Sequence, residues 1–315
     1  MSTALPAEPN PARFRSPLWR AIAATRPAFL SVTGAAVLLG FAHAGADGVR
    51  IDAALALATL LLALCAHAAG NLINDWADAA NGGDAINRGR IFPFTGGSRF
   101  IDNAVMTRAQ VGKLALILGL GAVAGGLVLA TVVGPWLLGL GAAGLTLAWA
   151  YSTPPLWLVA RGLGEATIAT VWLLVVVGAD GVMRGQPDPS AAVAGIPLAL
   201  LVANILFVNQ FPDREADAAV GKLTLVVRLG AGTARGGSAV LALAAYGWLL
   251  VAVVSGALPA LALAGLAAAP LSVVAALGLW RHAGEPALLG PTIRVTITAA
   301  ILHAVMLSVA LWAMA

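Results

Sequence analysis

Seven stretches of this chain contain no Asp, Glu, Lys or Arg: Pro27 to Ala46, Ala53 to Asn74, Leu114 to Ala160, Ala166 to Ala179, Pro189 to Pro212, Gly236 to Trp280 and Val295 to Ala315. A helix that crosses a bilayer needs about 20 consecutive, mostly apolar residues. Lipid tolerates only structures that satisfy their own backbone, which leaves helices or closed barrels. These runs lack the period-two alternation of a barrel strand, so they read as helices. Leu114 to Ala160 and Gly236 to Trp280 are about twice the length of one crossing. Each holds a turn signal, "VVGPW" around Pro135 and "SGALP" around Pro259, where the chain can reverse. The expectation is an all-α polytopic membrane protein with nine crossings. The fifth is long enough only if it starts near Gly162 and admits Glu165 into its first turn. Composition agrees: 10% of residues are charged, against roughly a quarter in a soluble globular domain.

With nine crossings starting at Pro27, 16 of the 18 basic residues fall on one face, and the other keeps only Arg50 and Arg184. The positive-inside bias makes the basic face cytoplasmic. Residues 1–26 are Pro-rich and lack the apolar centre of a signal peptide, so they read as a disordered cytoplasmic tail, with 27–315 as one transmembrane domain. The single Cys65 excludes an intrachain disulfide and a cysteine metal cluster. The net charge of +4 follows the membrane rule rather than any nucleic-acid module, so membrane lipid or an anionic substrate is the expected partner and nucleic acid is not.

The polar end of the second crossing reads "GNLINDWADAANGGD", residues 70–84. Asn71, Asp75 and Asp78 follow i, i+4, i+7 spacing and share one helix face. The end of the sixth crossing echoes it as "NQFPDREAD", with Asn209, Asp213 and Asp217 at i, i+4, i+8. One acidic helix end is commonly just a solvated boundary. Two matched Asn-x-x-x-Asp motifs on the same face ask for a shared counterion, because clustered carboxylates at a membrane boundary are costly. Oxygen donors suit Mg²⁺, which takes one or two carboxylates from a protein and completes its shell with waters and substrate phosphates. Arg88, Arg90, Arg99, Arg214, Lys222 and Arg228 are candidates to neutralise such phosphates. The Gly-rich turns "NGGD" and "FTGGSR" can bring backbone amides to phosphate oxygens. Pro212 removes a helix hydrogen bond and is expected to kink or end the sixth helix between Asn209 and Asp213.

"NDWADAANGGD", "TGGSR", "YSTPPLWL" and "NQFPDREADAAVGKLTLVVRLG" resemble the UbiA superfamily of intramembrane aromatic prenyltransferases. "TRPAFLSVTGAAVLLG" and the placement of Asp75, Asp78 and Asp84 are most similar to the branch that prenylates 1,4-dihydroxy-2-naphthoate in menaquinone synthesis. The resemblance covers nearly all of the chain after residue 20. It departs in the first motif, where many relatives carry Asp at the position of Gly82, which leaves the role of Asp84 open. It implies a nine-helix bundle around a central cavity, in which Asn71, Asp75, Asn209 and Asp213, with Asp78 and Asp217 in support, hold Mg²⁺ on a polyprenyl diphosphate. The four aspartates are then the catalytic residues, and the released allylic cation is captured by an aromatic acceptor.

Tyr151 could hydrogen-bond that acceptor or serve as an ordinary interfacial anchor. His67, His43 and His303 read as interhelical hydrogen-bonding residues. Glu165 could serve the acceptor or simply the N-terminus of its helix. An ion-coupled transporter is the alternative from another class, but its coupling sites lie near the midplane on broken helices, whereas both clusters here lie at helix ends.

Overall fold

The structure, a computed structural model, describes residues 6–314, and every regular element among them is a helix. In chain order they are α1 (Pro17–Ala24), α2 (Pro27–Ala46), α3 (Ala53–Asn81), α4 (Gly83–Ile86), α5 (Arg108–Val133), α6 (Trp136–Ser152), α7 (Gly164–Arg184), α8 (Ser190–Ala219), α9 (Leu225–Leu229), α10 (Ala231–Ala234), α11 (Gly237–Val254), α12 (Ala269–His282) and α13 (Gly290–Trp312). Eight helical stretches are long and apolar enough to cross a membrane. The expected fourth crossing, α6, has 17 residues, or about 26 Å at 1.5 Å per residue, a little less than the ~30 Å hydrocarbon core.

Local chemistry sets the boundaries. The Asp52 carboxylate accepts from the amides of Ala54 and Leu55, both at 2.9 Å, and so caps α3. Thr107 and Gln110 form a reciprocal capping box that opens α5. The chain reverses at both expected breaks. Gly134 ends α5 at φ 111°, and the turn after α11 leads through Pro259 into a 3₁₀ segment that continues into α12. The fifth crossing starts at Gly164 with Glu165 in its first turn.

α3 and α8 have 29 and 30 residues, each about 45 Å long, so both outrun the hydrocarbon core. Their surplus turns carry the two polar motifs beyond the apolar span. Inside lipid, helix association rests on close packing. Leu39 of α2, Leu198 of α8, Leu249 of α11 and Leu307 of α13 meet in one buried cluster. Gly40 lets α2 approach α7 so closely that a Cβ there would lie 2.5 Å from the Val176 carbonyl oxygen.

Two expectations are revised. Of the two outcomes expected at Pro212, a kink or an end, the end does not occur: α8 runs from Ser190 to Ala219 through both Pro197 and Pro212. Packing on buried neighbours, including Phe211 and Val208, outweighs one missing backbone hydrogen bond. The tail is also not disordered where it is described. Pro17–Ala24 is helical, and Glu8 accepts from Arg90 Nε at 2.8 Å and from Asn103 Nδ2 at 3.0 Å. The polar composition of the tail concealed these specific partners.

Candidate active site

The polar ends of α3 and α8 face each other across the head of a cavity of about 650 Å³. Asn71, Asp78 and Asp84 line it from the first motif, and Asn209, Asp213 and Asp217 from the second. Asp75 lies just behind the wall, 5% exposed. Its Oδ1 pairs with the Arg26 guanidinium, which does line the cavity, and accepts from the Ser98 amide at 3.2 Å.

Lys222 bridges the two motifs. Its Nζ lies 3.1 Å from Asp78 Oδ2 and 3.5 Å from Asp217 Oδ1. Burial alone would lower its pKa, but Asp78 and Asp217 overcome that and hold it well above the ordinary lysine value. Arg26 behaves likewise: burial works against its charge, and Asp75 more than restores it. Asp84 goes the other way, raised well above the usual carboxylate range by burial and then by repulsion from Asp78.

The loop between α4 and α5 supplies a second bridge. The Gly96 amide donates to Asp213 Oδ2 at 3.3 Å, while Ser98, two residues on, serves Asp75. The intervening Gly97 has φ +74°, and a Cβ there would run into the Asp84 carboxylate. Asn87 Nδ2 donates to Asp213 Oδ1 at 2.6 Å. Gly82, at φ +79°, ends α3 in the left-handed conformation that glycine adopts freely. The chain thereby turns at once into α4, which returns Asp84 to the cavity.

Five carboxylates, Asp75, Asp78, Asp84, Asp213 and Asp217, thus stand in or behind this wall against two cations, Arg26 and Lys222. Asp75 Oδ2 and Asn209 Oδ1 are buried without a hydrogen-bond partner, and both are hard oxygen donors. Excess negative charge and orphaned oxygens fit a divalent cation. Among the described residues no three carboxylate, imidazole or thiol groups form a ready-made metal cluster. That suits an ion such as Mg²⁺, which takes few protein ligands and shares its shell with substrate phosphates.

The remaining expected residues are divided. Tyr151 lines the cavity. Arg88 and Arg214 do not: both line a separate pocket of about 270 Å³ beside Phe211 and Gly284. They occupy the faces of their segments that point away from the cavity, and Arg214 pairs with Glu215 at 3.5 Å. Arg99 is buried among Asp102, Glu8 and the Asp84 carbonyl and Arg90 is tied to Glu8, so both hold the loop and the tail rather than the cavity. Arg228 donates to the carbonyls of Leu223 and Ala160, at 2.7 and 3.3 Å, and ties the segment after α8 to the one before α7. Glu165 is buried behind the lining and accepts from Gln210 Nε2 at 2.6 Å. His67 shares a 2.7 Å hydrogen bond with Thr33 across α2 and α3. Arg26, Asn74, Asn87 and Gln210 were not singled out from the sequence; Arg26 just before Pro27 at the start of α2 was the nearest available signal.

Below this polar head the walls are apolar, built from Phe29, Leu62, Leu145, Trp172 and Val175 among others. The whole is a charged mouth on an oily shaft, suited to an amphiphile with an anionic head.

Comparison with known proteins agrees. A 1,4-dihydroxy-2-naphthoate octaprenyltransferase of Mycobacterium tuberculosis is 32% identical over 70% of this chain and 73% of its own length. UbiA prenyltransferase domain-containing protein 1 of Dictyostelium discoideum is 30% identical over 68% of this chain, and the match spans 65% of that protein, just under two thirds. A solved structure of a UbiA homolog from Archaeoglobus fulgidus bound to DMAPP and Mg²⁺ superposes with a TM-score of 0.58 at 13% identity, covering 92% of this chain and 99% of that one. The sequence model of the UbiA prenyltransferase family matches residues 33–289, and the chain belongs to that family.

Proposed function

We propose that this protein transfers a polyprenyl group from an allylic polyprenyl diphosphate to 1,4-dihydroxy-2-naphthoate, with loss of carbon dioxide, in menaquinone synthesis. In this reading the reaction runs at the cytoplasmic side of the cytoplasmic membrane, which the excess of basic residues on that face supports. The observation that carries the reading is the excess of carboxylates and orphaned oxygens at the head of an apolar cavity. The relatives named 1,4-dihydroxy-2-naphthoate octaprenyltransferase support the choice of acceptor.

Asn71, Asp75, Asp78, Asn209, Asp213 and Asp217 are the residues that would hold Mg²⁺. When bound, Mg²⁺ neutralises the diphosphate and stabilises the negative charge that develops as it leaves. Lys222 and Arg26 line the same cavity head and carry the positive charge that would meet a diphosphate, and Gly96 and Gly97 of the loop line it as well. As the allylic C–O bond breaks, its electron pair goes to the diphosphate. Stabilisation by fixed charges inside a site shielded from water is worth more than in bulk solvent. The apolar walls around Trp172 and Phe29 keep water from the allylic cation. An electron-rich ring carbon then forms the new C–C bond, and the departing carboxyl group leaves the ring its electron pair.

The test gives protein reconstituted in lipid, with Mg²⁺, a polyprenyl diphosphate and a mixture of aromatic acceptors, and reads the products by mass spectrometry. A chelator-sensitive prenylated naphthol lacking the carboxylate is expected. Prenylated 4-hydroxybenzoate would move the protein to another acceptor. Asp75→Asn and Asp213→Asn should abolish product while leaving folded protein in the membrane; full activity in both would refute the metal assignment.

A further inference from the structure

The chain turns sharply between α1 and α2. Arg26 sits there in the left-handed region at φ 56°, and Pro27 opens α2 directly after it. α1 therefore does not continue the line of the first crossing. Its depth follows from what it touches. Ala24 lies in one buried cluster with Leu72 of α3 and with Val111 and Ala115 of α5. Phe14, just ahead of α1, meets the Phe100 ring edge-on with centroids 5.0 Å apart. Lys113 is the last charge of α5 before the apolar run that begins at Leu114. Val111 and Ala115 thus straddle the boundary between headgroups and hydrocarbon, and α1 is held at that level.

The outer face of α1 is apolar and exposed. Leu18, Trp19 and Ile22 are 71%, 58% and 42% exposed, and on a helix they share an arc of about 100°. Residues 9–26 contain four arginines and no acid, and Arg13 and Arg15 are exposed. A helix that is apolar on one side, basic at its start and pinned at headgroup level has the chemistry of a segment lying in the plane of the membrane surface. Tryptophan is at home at that depth, and arginines beside it are drawn to anionic lipid of the cytoplasmic leaflet.

The junction behind α1 serves the first motif. Asn71 Nδ2 donates to the Thr25 carbonyl at 3.0 Å, and the Arg26 guanidinium pairs with Asp75. Whatever fixes α1 also fixes the two residues after it, and through them Asn71 and Asp75.

We propose that α1 docks in the cytoplasmic leaflet through Leu18, Trp19 and Ile22, with Arg13 and Arg15 on anionic phospholipid headgroups, and that this docking orders the Thr25–Arg26 junction that holds the first motif. The partner is the bilayer surface rather than a second copy. The face lies level with the exposed apolar Leu116 and Ile117 of α5, and its flanking charge is complementary to the leaflet. Docking is independent of the proposed function, and only the activity measurement below rests on that reading.

Two measurements test it with the full chain in nanodiscs. In a Cys65→Ala background, Ile22→Cys and, as a control, Gly284→Cys on the exposed turn between α12 and α13 are labelled with bimane. Ile22→Cys is expected to be quenched by lipid carrying a nitroxide near the glycerol and shielded from soluble iodide, while Gly284→Cys stays open to iodide. Equal iodide quenching at the two positions overturns the docking. So does shielding that vanishes when each disc holds one copy, which would assign the face to a second copy. The second measurement compares kcat/KM for the donor in discs of phosphatidylcholine with and without phosphatidylglycerol. Wild type is expected to gain at least about fivefold with phosphatidylglycerol, the lower end of a typical coupling between two sites. The double variant Arg13→Gln, Arg15→Gln should lose that gain, and the triple variant Leu18→Ser, Trp19→Ser, Ile22→Ser should be low in both lipids. These side chains are exposed, so the bundle should fold in each variant. Anionic lipid also changes the surface charge that meets the donor, an effect common to all the variants and removed by the comparison. A gain no larger in wild type than in both variants overturns the coupling. Quenching needs no turnover, so a protein that transfers nothing while the Ile22→Cys label lies in lipid defeats the proposed function and leaves the docking standing.

Discussion

Lys222 and Arg26 each hold a buried carboxylate, and their loss is expected to be felt twice. Removing one partner of a buried ion pair leaves an uncompensated charge and costs about 3–5 kcal/mol. Lys222→Met strands Asp78 and Asp217, so it should lower the thermal midpoint in scanning fluorimetry. It should also lower kcat/KM for the donor by about 10²-fold or more, as removal of a charge-stabilising donor does. Arg26→Gln should act in the same direction, and Arg26→Lys should recover only part, because an ammonium lacks the planar fork of a guanidinium. Activity within about twofold of wild type in Lys222→Met would remove Lys222 from the site. The six Asn and Asp residues of the motifs were legible because their spacing is the helix period itself. Arg26 and Asn87 were not, because their partners Asp75 and Asp213 lie 49 and 126 residues away in sequence, and no local pattern encodes a contact made by folding. Arg88 and Arg214 show the converse: charge and proximity in sequence selected them, but Arg88 in the bend after α4 and Arg214 on α8 both line a separate pocket instead of the cavity.

Among the elements, those governed by backbone grammar were the readable ones. The Gly134–Pro135 turn, the break before Pro259 and the start of α7 near Glu165 all follow from residues that set dihedrals or caps. The loop from Asn87 to Met106 and the tail were less readable, because each is ordered by ion pairs rather than by a repeating pattern. Glu8 shows how. Burial alone would raise its pKa, but hydrogen bonds from Arg90 and Asn103 hold it below the usual value. A carboxyl with a lowered folded pKa contributes stability above its unfolded value of about 4.3 and loses it as pH falls through the folded one. The protection factors of the α1 amides, which take out the intrinsic pH dependence of exchange, should therefore be steady from neutral pH down to about 5 and fall below about 4. Glu8→Gln should lower that protection at neutral pH by an amount equivalent to no more than about 1 kcal/mol, the worth of a partly exposed pair. Exchange that is insensitive to both would mean the apolar contact of Ala24 with Leu72 and Phe100 holds the tail alone. Gly97→Ala tests the loop itself: at φ +74° and facing Asp84, it should cost more than about 1 kcal/mol and lower turnover together with stability.

At the level of the whole molecule, the distribution of charge and the position of the site make one joint prediction. Both motifs, the tail and the loop before α5 lie at the same ends of their helices, and the opposite ends carry Arg50 and the cluster of Arg184 with Asp47, Asp180 and Asp188. Two basic residues against sixteen is a strong bias under the positive-inside rule, so the face bearing the carboxylates should meet the cytoplasm. Cys65 is the sole cysteine, which makes a labelling test direct. In a Cys65→Ala background, Gln186→Cys stands on the exposed turn between α7 and α8, and Gly284→Cys on the exposed turn between α12 and α13. In intact cells an impermeant maleimide should label Gln186→Cys and spare Gly284→Cys, and inverted vesicles should reverse the pattern. The reverse result in intact cells would place the carboxylate-bearing face on the outer side and overturn the cytoplasmic assignment of the site.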